Sequence, residues 1–128
     1  MSEPKVAFFI DDDEDFLRII DTAIQHPRFQ VRTLHVDNGY HAIDEIIKLK
    51  PDVLFIDFAL PRANASQILP ILKYINEFSE LPIYFVTGYA RDAVVPFLKD
   101  MTPQGIIFKN DSLRSEILKV LEELDPAA

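Results

Sequence analysis

Four apolar, strand-like runs in this chain each end on a polar residue suited to handling a phosphoryl group. They are Val6 to Ile10 before Asp11-Asp12-Asp13, Val53 to Ile56 before Asp57, Ile83 to Val86 before Thr87, and Ile106 to Phe108 before Lys109. In an open parallel sheet the carboxyl ends of the strands share one edge, and ligands bind in the crevice there. Carboxylates, a hydroxyl and an ammonium would therefore meet at one site. A cluster of acids suits a hard divalent cation, because Mg2+ takes oxygen ligands and bridges them to phosphate. The chemistry this implies is phosphoryl transfer.

Between the runs the apolar residues recur at helical spacing. Phe16, Leu17, Ile19, Ile20, Ala23 and Ile24 predict a first helix that ends at His26-Pro27. Phe29 to Val36 alternates as a strand, and Ala42, Ile43, Ile46, Ile47 and Leu49 mark a second helix stopped by Pro51. Asn64 or Ser66 is the expected N-cap of a third helix, with Pro70 near its first turns where a missing N–H does limited damage. The fourth helical region, Arg91 to Met101, carries Pro96 in its middle and should be short, kinked or mobile. Ser112 or Asp111 is expected to cap a last helix that turns Leu113, Ile117, Leu118, Val120, Leu121 and Leu124 inward. Five strand-helix units in one chain predict a doubly wound, three-layer α/β sandwich. The expectation is one domain over 1–128 with its core at about 4–124, and no internal repeat or low-complexity segment appears.

A chain of 128 residues, 48% hydrophobic and 27% charged, has the size and composition of a globular domain. The formal net charge of -8 disfavours nonspecific binding to nucleic acid or to an anionic membrane. The absence of cysteine excludes disulfides, thiolate metal sites and cysteine nucleophiles. Neither a signal-peptide pattern nor a membrane-length apolar stretch is present, and a cytoplasmic protein is expected.

The four segments, taken in order, resemble the receiver domain of two-component response regulators. Val6 to Asp15 is similar to that family's first strand and acidic pair, and Asp52 to Pro61 to its phosphoacceptor strand and following loop. Pro82 to Tyr89 is similar to its switch-threonine segment, and Gly105 to Lys109 to its lysine segment. The resemblance implies a flavodoxin-like (βα)5 fold with parallel strand order 2-1-3-4-5. It also implies Asp57 as the phosphoacceptor, attacking a phosphohistidine of a sensor histidine kinase or histidine phosphotransfer protein. Asp11, Asp12, Asp57 and the backbone carbonyl of Ala59 would hold Mg2+. Lys109 and Thr87 would contact the phosphoryl group, with Gly88 leaving room beside it. Such a protein is a signalling phosphoacceptor that assists its own phosphorylation and dephosphorylation, not an enzyme acting on others. Output would pass to a downstream partner or to a homodimer through the fourth helix, fifth strand and fifth helix.

The chain departs from the family pattern at Ile106, where an aromatic switch residue is usual, at Asn110 in place of proline, and at Ala65 in place of glycine. Ile106 puts the usual ring rotation in doubt. A cis bond to Asn110 would cost about 3 to 4 kcal/mol, so Lys109–Asn110 is expected to be trans. Ala59 and Tyr89 occupy the positions that flank water's approach to the acyl phosphate in the family, and both predict slow hydrolysis.

Other readings of the same residues are weaker. Asp13, Glu14 and Asp15 read as first-turn acids favoured by the helix dipole. Thr87 could serve as a strand-end hydroxyl bonded to backbone, and Lys109 as a solvated cation. Asp11, Asp13 and Asp15 begin like a calcium loop, but Phe16 and Thr22 stand where glycine and glutamate are required. A small Mg2+-dependent phosphatase with Asp11 as nucleophile would need a longer chain and a second acidic pair. A receiver-like interaction module that works without phosphorylation is the remaining alternative. His26, His35 and His41 show no metal-ligand spacing and read as structural or surface residues.

Overall fold

The alternation of strand and helix runs through all the residues that the computed structural model describes, 3–98 and 102–125. In order these are β1 (Lys5–Asp11), α1 (Glu14–Ala23), β2 (Phe29–His35), α2 (Gly39–Leu49), β3 (Val53–Asp57), α3 (Ala65–Tyr74), β4 (Ile83–Thr87), α4 (Arg91–Val94), β5 (Gly105–Phe108) and α5 (Leu113–Leu124). The five strands are parallel in the order β2-β1-β3-β4-β5, the flavodoxin-like arrangement expected. Period-two alternation divides the strand residues between two cores. Phe8, Ile10, Leu54, Ile56, Ile83 and Phe85 pack with Ala42 and Ile46 of α2, Ile68, Leu69 and Leu72 of α3, and Val94 of α4. Ala7, Phe9, Val53, Phe55, Val86 and Ile107 pack with Leu17 and Ile20 of α1 and Ile117 and Leu121 of α5. The sheet is thus the middle layer of three. No helix of the described residues is long and apolar enough to cross a membrane.

Local chemistry sets the helix ends. Asn64 caps α3 in a capping box, its side chain accepting from Gln67 N while Gln67 Oε1 accepts from Asn64 N. The first helix stops at Ala23, ahead of the expected His26-Pro27, and Ile24 is already extended and buried. Pro27 has no N–H to offer the Ala23 carbonyl four residues back and its ring would clash with it, so the helix cannot continue to the proline. Ser112 holds the N-cap position of α5 but caps nothing with its side chain; Asn110 Oδ1 accepts from Ser112 N at 2.9 Å instead. Asparagine turns the chain here by bonding its backbone two residues on. The Lys109–Asn110 bond is trans, as is every peptide among the described residues. The fourth region is short, as Pro96 requires: α4 gives way to a 3-10 turn over Val95–Phe97, and residues 99–101 of the expected helix lie outside the described residues.

The loop after β3 is pinned to the start of α2. Gly39 N donates to Pro61 O at 2.8 Å, and Arg62 follows in the left-handed region at φ 68. A Cβ on Gly39 would collide with the Ala63 carbonyl oxygen, whereas one on Gly88 would meet nothing within 4 Å. Gly39→Ala should therefore cost about 1–3 kcal/mol, the usual range for overpacking, and Gly88→Ala close to nothing. Urea unfolding of the two variants checks this; equal midpoints would show that the loop yields freely.

Candidate functional site

An aromatic ladder sets the register that brings the site together. Phe9, Phe55 and Tyr84 are register partners across β1, β3 and β4, with Phe9 and Phe55 stacked at 4.5 Å and Phe55 and Tyr84 at 5.5 Å. Cross-strand pairs of this kind lock neighbouring strands, because a slip of one residue would send every side chain to the other face. Two residues beyond Phe9 is Asp11, two beyond Phe55 is Asp57, and two beyond Ile107 is Lys109. Even spacing keeps all three on the face covered by α1 and α5, at the carboxyl edge of the sheet.

There Lys109 Nζ lies 2.9 Å from Asp11 Oδ2 and 3.7 Å from Asp57 Oδ1. Asp11 and Asp57 are buried, and the Lys109 side chain is 23% exposed. Asp12 is exposed, yet its carboxylate falls within 4.8 Å of those of Asp11 and Asp57. Burial pushes the Asp57 carboxyl up to about 7, and the nearby Asp11 charge adds to the rise against the pull of Lys109. Burial likewise raises Asp11, with Lys109 opposing. For Lys109 burial alone would lower the pKa, but its contacts with Asp11 and Asp57 outweigh burial and leave it raised. Asp11 Oδ2 is buried, and its ion pair with Lys109 is not a well-aligned hydrogen bond. Three carboxylates facing one ammonium, one acid oxygen lacking a good hydrogen bond, and an all-oxygen donor set fit a hard divalent cation.

The remaining expected residues surround this group. Asp13 Oδ1 caps α1 by accepting from Asp15 N and Phe16 N, and Asp13 N donates to Asp11 Oδ1 at 2.9 Å. The third aspartate is thus a cap that also orients the first. Thr87 is buried at the end of β4, one residue past Val86, the register partner of Asp57. Its Oγ1 accepts from Tyr89 N at 3.0 Å, the backbone bond foreseen for a strand-end hydroxyl, and its own hydrogen stays available. Gly88 is exposed, without the positive φ or close neighbour that would demand glycine. Ala59 and Tyr89 line one open cavity of about 430 Å³ beside the site, together with Phe58, Arg62 and Phe97. Ile106 is half-buried and packs on the core of the α2, α3 and α4 face; Phe108, two residues on, stands under the Arg91 guanidinium at 5.2 Å.

Three features were missed in the sequence. The Phe16 ring lies 4.3 Å below Lys109 Nζ, although its helical spacing marked it only as core. His35 Nε2 lies 3.1 Å from the Asp12 carbonyl oxygen, reached through strand pairing that no local pattern reveals. His26 gathers with Glu122 and Asp125, residues about a hundred positions away. His26 Nδ1 accepts from Arg28 N at 3.0 Å, which puts the proton of the neutral ring on Nε2, facing Glu122 Oε2 at 3.0 Å. A ring nitrogen carrying a proton is a donor to glutamate and not a metal ligand, so this cluster ties α5 to the start of β2.

The profile of the response regulator receiver domain matches residues 7–122. The polar-differentiation response regulator DivK of Brucella anthropi is 25% identical over 87 residues, covering 68% of this chain and 69% of that protein. The sporulation initiation phosphotransferase F of Bacillus subtilis is 26% identical over 93 residues, covering 70% and 73%. Among solved structures, the chemotaxis response regulator CheY4 of Vibrio cholerae superposes with a TM-score of 0.78 at 17% identity, over 94% of this chain and 98% of that one.

The acid crowding makes a stability prediction. Asp57 is raised from 3.8 to about 7 by folding, so its contribution to stability is fully present below about pH 4 and is lost as pH rises through 7. In chelator at pH 8, Asp57→Asn should stabilise the domain, on the order of 2–4 kcal/mol, with a smaller gain at pH 5. Thermal melts at the two pH values decide it. A variant no more stable than the native chain at pH 8 would contradict the crowding.

Proposed function

The chain belongs to the response regulator receiver domain family, and on that premise we propose that it is a phosphoacceptor for a sensor histidine kinase or histidine phosphotransfer protein, with Asp57 as the acceptor. The observation that carries this reading is the meeting of the Asp57 carboxylate with Asp11 and the Lys109 ammonium at the carboxyl edge of the sheet. A carboxylate oxygen of Asp57 attacks phosphorus, the P–N bond of the donor's phosphohistidine breaks, and the freed imidazole nitrogen takes up a proton. Lys109 supplies positive charge where it can balance oxygens of the incoming phosphoryl group. Thr87, its oxygen already held by Tyr89 N, has its hydrogen to donate to that group once attached. Asp11, Asp12, Asp57 and the main-chain carbonyl of Ala59 would hold Mg2+. When bound, that ion offsets the crowded acids and the charge on the phosphoryl oxygens.

Output without an aromatic at Ile106 has two supports. Thr87 Oγ1 is bonded to the backbone of Tyr89, so a shift of Thr87 reaches the start of α4 directly. Arg91 on α4 covers Phe108 of β5, which links that helix to the last strand. The face of α4, β5 and α5 is then the surface for a downstream protein or a second copy. Ala59 offers no polar group to orient an attacking water and Tyr89 shares its cavity, which supports a long-lived acyl phosphate.

Intact-mass measurement after incubation with acetyl phosphate tests the assignment: one phosphoryl group is expected with Mg2+, none in excess chelator, and none in Asp57→Asn. Steady turnover of a generic phosphomonoester, lost in Asp11→Asn, would favour the phosphatase. Mg2+ should raise the melting temperature more at pH 8 than at pH 6, since the cation competes with the proton that Asp57 holds below about 7. An equal shift at both pH values would remove Asp57 from the binding set. The phosphorylated native chain should decay about tenfold more slowly than an Ala59→Asn, Tyr89→Glu double variant; equal decay would refute the shielding.

A further inference from the structure

Receiver chemistry accounts for the acids, the hydroxyl and the ammonium, but not for the aromatic ring on which the ammonium rests. Phe16 belongs to the first turn of α1, where Asp13 Oδ1 accepts its backbone N–H at 3.2 Å. The acid run therefore fixes the helix start that presents the ring. Leu17 and Ile20 of the same helix are buried in the core, whereas Phe16 is only half-buried and has the Lys109 Nζ 4.3 Å from its centroid. At that distance the ring quadrupole attracts the cation, and partial desolvation strengthens the attraction.

We propose that Phe16 is a positioning residue for phosphoryl transfer, its ring face holding the Lys109 ammonium at the mouth of the Asp11–Asp57 pair. Lysine has four rotatable bonds and much rotamer freedom to lose, so a charge at the end of so long a stem needs a support. Carboxylates alone would hold it in one place. To neutralise a phosphoryl group on Asp57, the ammonium must turn from Asp11 toward the new oxygens. A ring face is nearly indifferent to such a shift, because its attraction does not depend on aligning one N–H with one lone pair. Phe16 thus supports Lys109 before and after transfer, while the acids support it only before.

The role in transfer rests on the phosphoacceptor reading; the contact itself does not, and the test separates them. Labelling of Asp57 by acetyl phosphate at saturating Mg2+ should slow about fivefold in Phe16→Leu and stay within about twofold of native in Phe16→Trp, which keeps a π face. In a Lys109→Met background, Phe16→Leu should cause no further loss. A native rate in Phe16→Leu, a Phe16→Trp variant as slow as Phe16→Leu, or an undiminished loss in the Lys109→Met background would each overturn the proposal. Phe16→Met, which keeps the bulk without a ring, replaces Phe16→Leu if melting shows that leucine unfolds the chain. The Lys109 Cε protons should also be shifted upfield by the ring in the native NMR spectrum, should stay so in Phe16→Trp, and should return to ordinary positions in Phe16→Leu. Ordinary positions in the native chain would overturn the contact. An unlabelled native chain with upfield protons would instead sink the phosphoacceptor reading, and with it the role in transfer, leaving the contact established.

Discussion

The Lys109 ammonium, 2.9 Å from Asp11 and 3.7 Å from Asp57, is what allows carboxylates to stand together at the end of a buried sheet. Without it the two buried acids would face each other with only Asp12 nearby, and burial already raises the pKa of both. The lysine in turn depends on the sheet. It follows β5 at the edge, and its long stem reaches back past β4 to the acids at the ends of β3 and β1. Strand order, aromatic register and ion pair are therefore one constraint seen at three scales. A shift of one residue in β3 against β1 would break the Phe9–Phe55 stack and carry Asp57 to the opposite face.

A second dependence runs through the loop after β3. Gly39 at the start of α2 lets the chain at Pro61 and Ala63 approach closely, and Arg62 takes a left-handed conformation that glycine would adopt more cheaply. The loop enters α3 through the Asn64–Gln67 capping box. Its two ends are held by β3 and by that cap, and its middle by the Gly39–Pro61 hydrogen bond. Ala59, between Asp57 and Pro61, is positioned by this frame and by packing against the core on the α2, α3 and α4 side of the sheet. A main-chain carbonyl can serve as a ligand only if its loop is held this way.

Much of the arrangement was legible in the sequence because it is periodic. Apolar runs that stop at Asp11, Asp57, Thr87 and Lys109 state the strand ends directly, and in a parallel sheet all those ends lie on one edge. Helix existence was equally legible, down to Asn64 as one of two expected caps and a fourth helix disturbed by Pro96. What was not legible depends on tertiary pairing or on competition between side chains. Asn110, and not Ser112 or Asp111, supplies the side-chain bond at the turn before α5, its Oδ1 accepting from Ser112 N. Phe16 fits the apolar stripe of α1, and no spacing rule says that its ring face would meet a cation from the far end of the chain. His26 and Glu122 are 96 positions apart, so only the folded chain joins them. The open space beside Gly88, with nothing within 4 Å of where a Cβ would sit, likewise shows only in the folded chain.

The acid group also sets the balance between stability and chemistry. A carboxyl raised to about 7 by its surroundings opposes folding at neutral pH, and an amide of the same shape would avoid that opposition. The rest of the fold is built to tolerate it. Phe9, Phe55 and Phe85, fully buried in the central strands, lie within two residues of Asp11, Asp57 and Thr87, so apolar burial is concentrated just behind the polar edge. Each such side chain contributes about 1.5–3 kcal/mol relative to exposure, enough in combination to offset crowded charge. The same rigidity keeps the acids from spreading apart to relieve their repulsion. A proton on Asp57 relieves that repulsion below about pH 7; on the proposed function, a bound cation would relieve it above that. Strain retained at one edge of an otherwise consistent fold is what the proposed phosphoacceptor role would draw on.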